Sequence, residues 1–308
     1  MKTNLKTTLC MALCLMILGM LSPADSRALP GEDEQAFIQD ELAWREKRDK
    51  EMRAHTSWLN IAGLFWLKEG ENRFGTSEKN PIKLPEGSDP PFAGSFLLDN
   101  GTVTVTAEQG TELKIEGHII HKSTLKGDDT GKPDVVELND LRMWVIKRFD
   151  RYAIRLRDLN HLPFKNYTGL DFYPPTEKYK LEAEFHSFPE PKKVEVGTAI
   201  GENTEMNSPG YVTFKIDGKF YRLDAFSGKP KTLFFIFGDD TNGKETYEAS
   251  RFMEAYIMAD GKVDLNFNRA YNPPCAYTPY ATCPLPPPQN QLKTSILAGE
   301  KKYPDSLH

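Results

Sequence analysis

A chain of 308 residues, 39% hydrophobic and 27% charged, is long enough to bury one large core or two modest ones. Its 44 acidic and 39 basic side chains leave a formal charge of −5, which argues against nucleic acid or an anionic membrane as partner, since both call for basic patches. No internal repeat and no long block of like charge interrupts it.

Lys2 and Lys6 precede an apolar run from Leu9 to Leu21, and Ser26-Arg27-Ala28 sets small residues at −3 and −1 of a cut after Ala28. That is the pattern of a secretory signal peptide over residues 1–28, too short for a comfortable membrane span. The chain is therefore expected to be exported, periplasmic or secreted, with no membrane insertion after cleavage. Cys10 and Cys14 leave with the signal. Loss of Lys2, Lys6, Arg27 and Asp25 moves the formal charge from −5 to −7.

Residues 29–57 are read as an N-terminal helical segment. From Glu32 to Ala54, Phe37, Ile38, Leu42, Trp44 and Met52 form one apolar stripe. Glu32, Asp33 and Glu34 open the helix, while Lys47, Arg48 and Lys50 come late, as its dipole favours. The stripe is expected to pack on the body of the same chain.

Residues 58–160 read as a first β subdomain. Trp58 to Leu67 is a near-continuous apolar run, suited to a strand buried on both sides or at a core edge, and Gly70-Glu71-Asn72 is expected to turn the chain. Ser95–Leu98, Asp99-Asn100-Gly101 and Thr102–Thr106 spell a hairpin whose second arm alternates strictly. Leu113–Ile115, Val135–Leu138, Met143–Phe149 and Tyr152–Leu156 continue the strands, the last two joined at Asp150-Arg151. Residues 161–177, overlapping the break RDLNHLPFKNYTGLDFYPP, form a connecting seam.

Residues 178–308 read as a second β subdomain. Strands are expected at Leu181–Phe185, Val194–Thr198, Tyr211–Ile216, Phe220–Leu223, Leu233–Phe237, Met253–Met258 and Val263–Phe267. Asp217-Gly218-Lys219 and Ala259-Asp260-Gly261-Lys262 mark hairpins, and Glu245–Phe252 suits a short helix. From Val263 to Gln291 the chain carries seven of its 22 prolines, so Pro273–Pro288 cannot be helix or central strand. Tyr271, Tyr277 and Tyr280 would pin this stretch to the body as an ordered strap. The whole is expected to be mainly β, an antiparallel sandwich or barrel body in possibly two β subdomains, with one N-terminal α-helix.

Three segments are familiar together: WLNIAGLFWLKEGENRFG from Trp58, the seam from Arg157 to Pro174, and Leu233 to Tyr303 with its NRAYNPPCAYTPYATCPLPPPQN string. They resemble the bacterial and archaeal family filed as domain of unknown function 1684, and that resemblance implies membership without an activity. Residues 70–121 are also similar to the opening of forkhead-associated domains, which are phosphothreonine-binding β-sandwiches. The phosphate-binding residues do not follow, since Thr76 and Leu98 stand where that pattern needs Arg and His.

Cys275 and Cys283, with seven residues between them in an exported chain, suggest a structural disulfide, with free thiols the alternative. Zinc would want more thiol or imidazole ligands nearby. Asp239–Glu245 fails as an EF-hand because Gly238 and Ala249 fall where carboxylates are required. No Gly-x-Ser-x-Gly is present, and the histidines are scattered, His161 beside Arg157 and Asp158 being the one worth following. No metal and no cofactor is expected.

Polar density peaks at the seam (Arg157, Asp158, Asn160, His161, Asp171), at Glu245, Glu248 and Arg251, and at Asn266, Asn268, Arg269, Tyr271 and Asn272 entering the strap. Such groups beside apolar runs either lock a loop or line a pocket. The candidate ligand-binding residues are Asp171, Glu248, Arg251, Asn268, Arg269, Tyr271 and Asn272, expected to converge around Arg269 with Glu248 or Asp171 as its partner. The function expected first is binding of a small polar or saccharide ligand. A hydrolase using paired carboxylates such as Asp171 with Glu248, and a structural envelope protein without a pocket, stay open beside it.

Overall fold

A computed structural model describes residues 31–88 and 90–304, so the expected signal peptide lies outside the described residues. The chain opens with α1 (Glu32–Met52) and a 3-10 turn at Trp58–Asn60, followed by β1 (Ile61–Trp66), β2 (Gly70–Gly75), β3 (Ile82–Lys83), β4 (Gly94–Asp99) and β5 (Thr102–Ala107). Next come β6 (Leu113–Ile115), β7 (His118–Ile120), β8 (Lys122–Leu125), β9 (Val136–Leu138), β10 (Leu141–Arg148) and β11 (Arg151–Asp158). These strands form two sheets, ordered β1-β11-β10-β9-β6-β7 and β3-β2-β4-β5-β8, and apart from the short parallel β2–β3 pair they are antiparallel. Phe74, Phe96, Val105, Met143, Ile154 and Leu156 fill the space between them. Alternation decides which side faces in: Val103 and Val105 of β5 are buried, while Thr102 and Thr106 are exposed.

A one-turn helix, α2 (Leu162–Lys165), and a 3-10 turn at Glu177–Tyr179 lead to the second body. There β12 (Lys180–Gly197), β13 (Asn203–Ile216), β14 (Lys219–Ser227), β15 (Thr232–Phe237), β16 (Arg251–Ile257) and β17 (Val263–Asn266) close into a barrel. The closure is made where β12 meets β17, with Lys180 opposite Asn266 and Ala183 opposite Val263. Val212, Phe214, Leu223, Phe235, Phe237 and Leu265 fill the interior. Full closure leaves no free edge, which removes the usual site for unwanted strand pairing.

The strap lies outside the barrel. Tyr277, Cys275, Cys283 and Ala281 pack with Phe226, Ile236 and Phe252 from the barrel's outer side, and with Met52 and Leu59 from the N-terminal segment. Fully burying each large side chain of this third cluster contributes about 1.5–3 kcal/mol relative to exposure. The strap also spans to the sandwich: the Thr278 hydroxyl donates to the Ile61 carbonyl at 3.0 Å, and Arg148 Nε donates to Thr282 Oγ1 at 3.3 Å.

Several local expectations change. The Gly70-Glu71-Asn72 turn is the start of β2, with Asn72 donating to the Lys68 carbonyl at 2.7 Å and thereby folding the bend just before it. No helix forms at Glu245–Phe252; the Asp239–Thr246 loop is folded by Asp239 and Thr241, and β16 begins at Arg251. The two strands expected at Leu181–Phe185 and Val194–Thr198 are one 18-residue strand, irregular between Ser187 and Lys192 where its prolines interrupt the ladder.

The largest difference concerns α1. Its buried residues are Phe37, Glu41 and Met52, with Trp44, Arg45 and Arg48 partly covered, whereas Leu42 is 45% exposed. Phe37, Glu41, Trp44, Arg45, Arg48 and Met52 span an arc of about 100°. The docking face is thus rotated from the apolar stripe and carries charge.

Candidate functional site

Two charged side chains anchor α1. Glu41, fully buried, accepts from Asn266 Nδ2 at 2.8 Å and from Arg269 Nε at 3.1 Å. Arg48 Nε donates to Glu300 Oε1 at 2.8 Å, and Glu300, likewise buried, also accepts from the Asn272 amide at 2.8 Å and the Tyr277 hydroxyl at 3.0 Å. Burial alone would pull the Arg48 guanidinium down, but the charge and hydrogen bond of Glu300, together with Tyr277 and Tyr271, hold it above its ordinary range. Arg45 donates to the Tyr173 carbonyl at 2.7 Å, and the Tyr167 hydroxyl donates to Asp49 at 2.8 Å. Each buried carboxylate has a guanidinium and further donors, which is what makes such burial tolerable.

Held this way, α1 forms one wall of a cleft of about 460 Å³. Trp44, Lys47, Arg48 and Glu51 come from the helix, and Trp58 from the turn after it. The opposite wall is barrel: Phe234, Phe252, Glu254, Tyr256 and Lys229. Arg269, Tyr271, Asn272, Pro274 and Tyr277 of the strap close the third side. Arg48 lies over the Tyr271 ring at 5.0 Å, and Phe252 meets that ring edge-on at 6.1 Å. Lys229 and Glu254 pair at 3.2 Å, while Tyr256 of the barrel wall is 59% exposed. Rings that can stack on a flat apolar face thus stand beside donors and acceptors of both signs.

Of the residues predicted from sequence, Arg269, Tyr271 and Asn272 line this cleft. Arg269 does not pair with Glu248 or Asp171; its partners are Glu41 and Asp40 of α1. Asn268 is turned to structure, donating to the Thr176 carbonyl at 2.9 Å and accepting from the Thr176 amide at 3.0 Å. Arg251 is 1% exposed and donates to Asp239 at 2.9 Å and to the carbonyls of Ile296 and Ala298. Glu248 pairs with Lys302 at 3.4 Å, and the Asp171 carbonyl accepts from the Lys301 amide at 2.8 Å. His161 Nδ1 lies 2.7 Å from the Leu59 carbonyl, holding the seam to the turn after α1.

The three polar segments do meet, though on a stretch the sequence reading passed over. Residues 296–302 receive Arg251 at Ile296 and Ala298, the Tyr173 amide at the Gly299 carbonyl, Asn272 at Glu300 and Lys301, and Glu245 at the Lys302 amide. Gly299 has φ +79°, and a Cβ there would stand 2.5 Å from the Ala270 carbonyl oxygen, so only glycine lets this stretch lie against the strap. Trp44, Trp58, Glu254 and Tyr256 were also passed over, each reading from sequence as an ordinary core or surface residue.

Cys275 and Cys283 are free thiols here, both buried, with the Cys275 amide donating to Cys283 Sγ at 3.2 Å. Among the described residues no cluster of three or more acidic, histidine or cysteine side chains is arranged for a metal, and no helix is long and apolar enough to cross a membrane.

Comparison with known proteins adds relatives but no activity. The family described as "Protein of unknown function (DUF1684)" matches residues 165–301. No curated protein matches the chain. The solution NMR structure of an uncharacterised Haloarcula marismortui protein is 32% identical, over 47% of this chain and 80% of that one, with a TM-score of 0.38. A forkhead-associated domain from a study of phosphothreonine-dependent interactions is 15% identical over 30% of this chain and 92% of its own, with a TM-score of 0.22. The FhaA forkhead-associated domain, solved with an intracellular domain of another protein, is 14% identical over 30% of this chain and 97% of its own, also with a TM-score of 0.22.

Proposed function

Because the chain belongs to the DUF1684 family, whose description assigns no activity, we propose a function from the cleft: binding of a small polar, ring-bearing ligand of the saccharide class. The observation that carries this is a 460 Å³ cleft in which Trp44, Tyr256 and Tyr271 stand beside Lys229, Glu254 and Glu51. Sugar rings offer an apolar face for aromatic stacking and a rim of hydroxyls for charged groups, and pockets of this size suit one or two such rings. Asp171 and Glu248, the pair a hydrolase reading would use, are not among the residues lining it.

Tyr256 gives the cleanest test, being exposed and not a member of the buried pairs. Tyr256→Ala is expected to weaken saccharide binding about tenfold, or ~1.4 kcal/mol, with the melting temperature of the free protein unchanged. Thermal shift and tryptophan fluorescence against a panel of mono- and oligosaccharides would read it. A panel without a single stabilising sugar, or equal binding by the variant, would end the saccharide reading.

Export is part of the same proposal. Cleavage after Ala28 would leave Leu29 just ahead of the first residue of α1, so the signal could be removed without touching the cleft wall. Intact mass of protein from the cell envelope should begin at Leu29, and recovery of an intact Met1 would refute export. In an oxidising compartment Cys275 and Cys283, already in contact, are the pair available for a disulfide.

A further inference from the structure

Charge in the cleft is paired unevenly. Lys47, Arg48, Lys229 and Arg269 line it against two acids, Glu51 and Glu254, on a chain whose formal charge is −5. Both arginines are matched by buried acids, Arg48 by Glu300 at 2.8 Å and Arg269 by Glu41 at 3.0 Å. Both lining acids are held as well, Glu254 by Lys229 at 3.2 Å and Glu51 by Arg48 at 3.8 Å. Among the described residues, Lys47 is the one lining charge without an ion pair.

Lys47 follows Trp44 by three residues, and both line the cleft from α1. Side chains so spaced lie one above the other on a helix face, about 4.5 Å apart along its axis. A pyranose lying on the Trp44 ring would therefore bring a substituent at its edge to the Lys47 ammonium. Tyr271 adds a donor on the third side of the cleft. Its hydroxyl has no hydrogen-bond partner among the described residues, and burial, with Glu254 nearby, keeps it protonated. What the cleft lacks is thus an acceptor that carries negative charge. A neutral sugar would leave Lys47 without a counter-charge, and a cationic sugar would have to draw Glu51 or Glu254 away from its partner. Beside aromatic walls, a new ion pair is screened less than on an open surface.

We propose that the cleft selects acidic saccharides, sugars with a carboxylate at the ring edge as in uronic acids, and that Lys47 makes the choice. The proposal rests on the saccharide reading of the cleft and deepens it by naming the charge of the sugar. A single ammonium balances the single charge of a carboxylate. Stacking on Trp44 and Tyr256 serves neutral and acidic sugars alike, so Lys47 is a specificity residue and its loss leaves neutral binding in place.

The full chain would be titrated calorimetrically at low ionic strength with glucuronate and galacturonate, with glucose and galactose, and with the disaccharides of each. Each acid is expected to bind about tenfold tighter than its neutral parent. Lys47→Gln should cut that preference to less than about twofold, with neutral binding and the melting temperature unchanged. Lys50→Gln makes the same change of charge on the same helix, but Lys50 pairs with Glu46 at 2.7 Å and does not line the cleft, so it should keep the preference. Added salt should shrink the wild-type preference. Equal binding of acid and parent by the wild type would overturn the selection and leave the saccharide reading standing. A preference that survives Lys47→Gln, or falls equally in Lys50→Gln, would overturn the role of Lys47. Binding of no sugar at all would end both.

Discussion

Replacing Arg251 with methionine is expected to lower stability by about 3–5 kcal/mol, the largest effect of any single change at the polar cluster. Arg251 and Asp239 are 1% and 0% exposed and 2.9 Å apart, and the guanidinium also donates to the Ile296 and Ala298 carbonyls. Without it Asp239 keeps its bonds from Thr241, at 2.8 Å from the amide and 2.6 Å from the hydroxyl, but retains a buried charge with no cation. Two carbonyls of the 296–302 stretch lose their donor as well. Adding Asp239→Asn removes the charge while keeping the Thr241 bonds, so the double variant should lose less than the sum of the single losses. Urea unfolding of the four proteins in a double-mutant cycle measures this. An Arg251→Met loss under about 1 kcal/mol would mean that the pair is solvated in the native ensemble.

Glu300→Ala is the second large loss, about 3 kcal/mol, and it should act at a distance. Glu300 gathers Arg48, the Asn272 amide and the Tyr277 hydroxyl, so its removal strips partners from α1 and from the strap together. Burial pushes the Tyr277 hydroxyl well above its usual range, with Glu300 adding to it, so that hydroxyl stays a donor in search of an acceptor. Amide hydrogen exchange in α1 should accelerate, and Trp44 emission should move toward that of a solvated indole. Glu300→Gln keeps the shape and one acceptor, and should cost less, about 1–2 kcal/mol. If exchange quickens throughout the barrel instead of in α1, Glu300 is holding the barrel and not the helix.

The turns were the most legible part of the fold, because a positive φ demands particular residues. Asn100 and Gly101, Asp217 and Gly218, and Gly261 all adopt it and sit at the expected hairpins. The strap was legible because proline forbids helix, and its place over a hydrophobic cluster followed from its tyrosines and cysteines. The face of α1 was not, since the apolar residues draw the stripe out through Ile38 to Leu42, while the structure leaves Leu42 exposed and buries the charged Glu41. What buries Glu41 is a partner more than 200 residues away, and no local pattern carries that information. For the same reason Arg269 could be recognised as needing an acid while the acid was misidentified. Glu300, near the end of the chain among lysines, had the local look of a solvated residue.

The helix that forms first during synthesis is held by residues that emerge last. Glu41 and Asn266 are 225 positions apart, and Arg48 and Glu300 are 252 apart. The sandwich and the barrel are built largely from neighbouring strands and can close as they appear, but the cleft exists only once both ends of the chain are present. Until then α1 waits beside unfinished protein, where an exposed apolar stripe would invite aggregation. A docking face in which Glu41, Arg45 and Arg48 are set among Phe37, Trp44 and Met52 is better solvated while it waits than a wholly apolar one. Its charges find their partners at Tyr173 and in residues 266–300, so the polarity that obscured the helix in the sequence also helps it to be made early and used late.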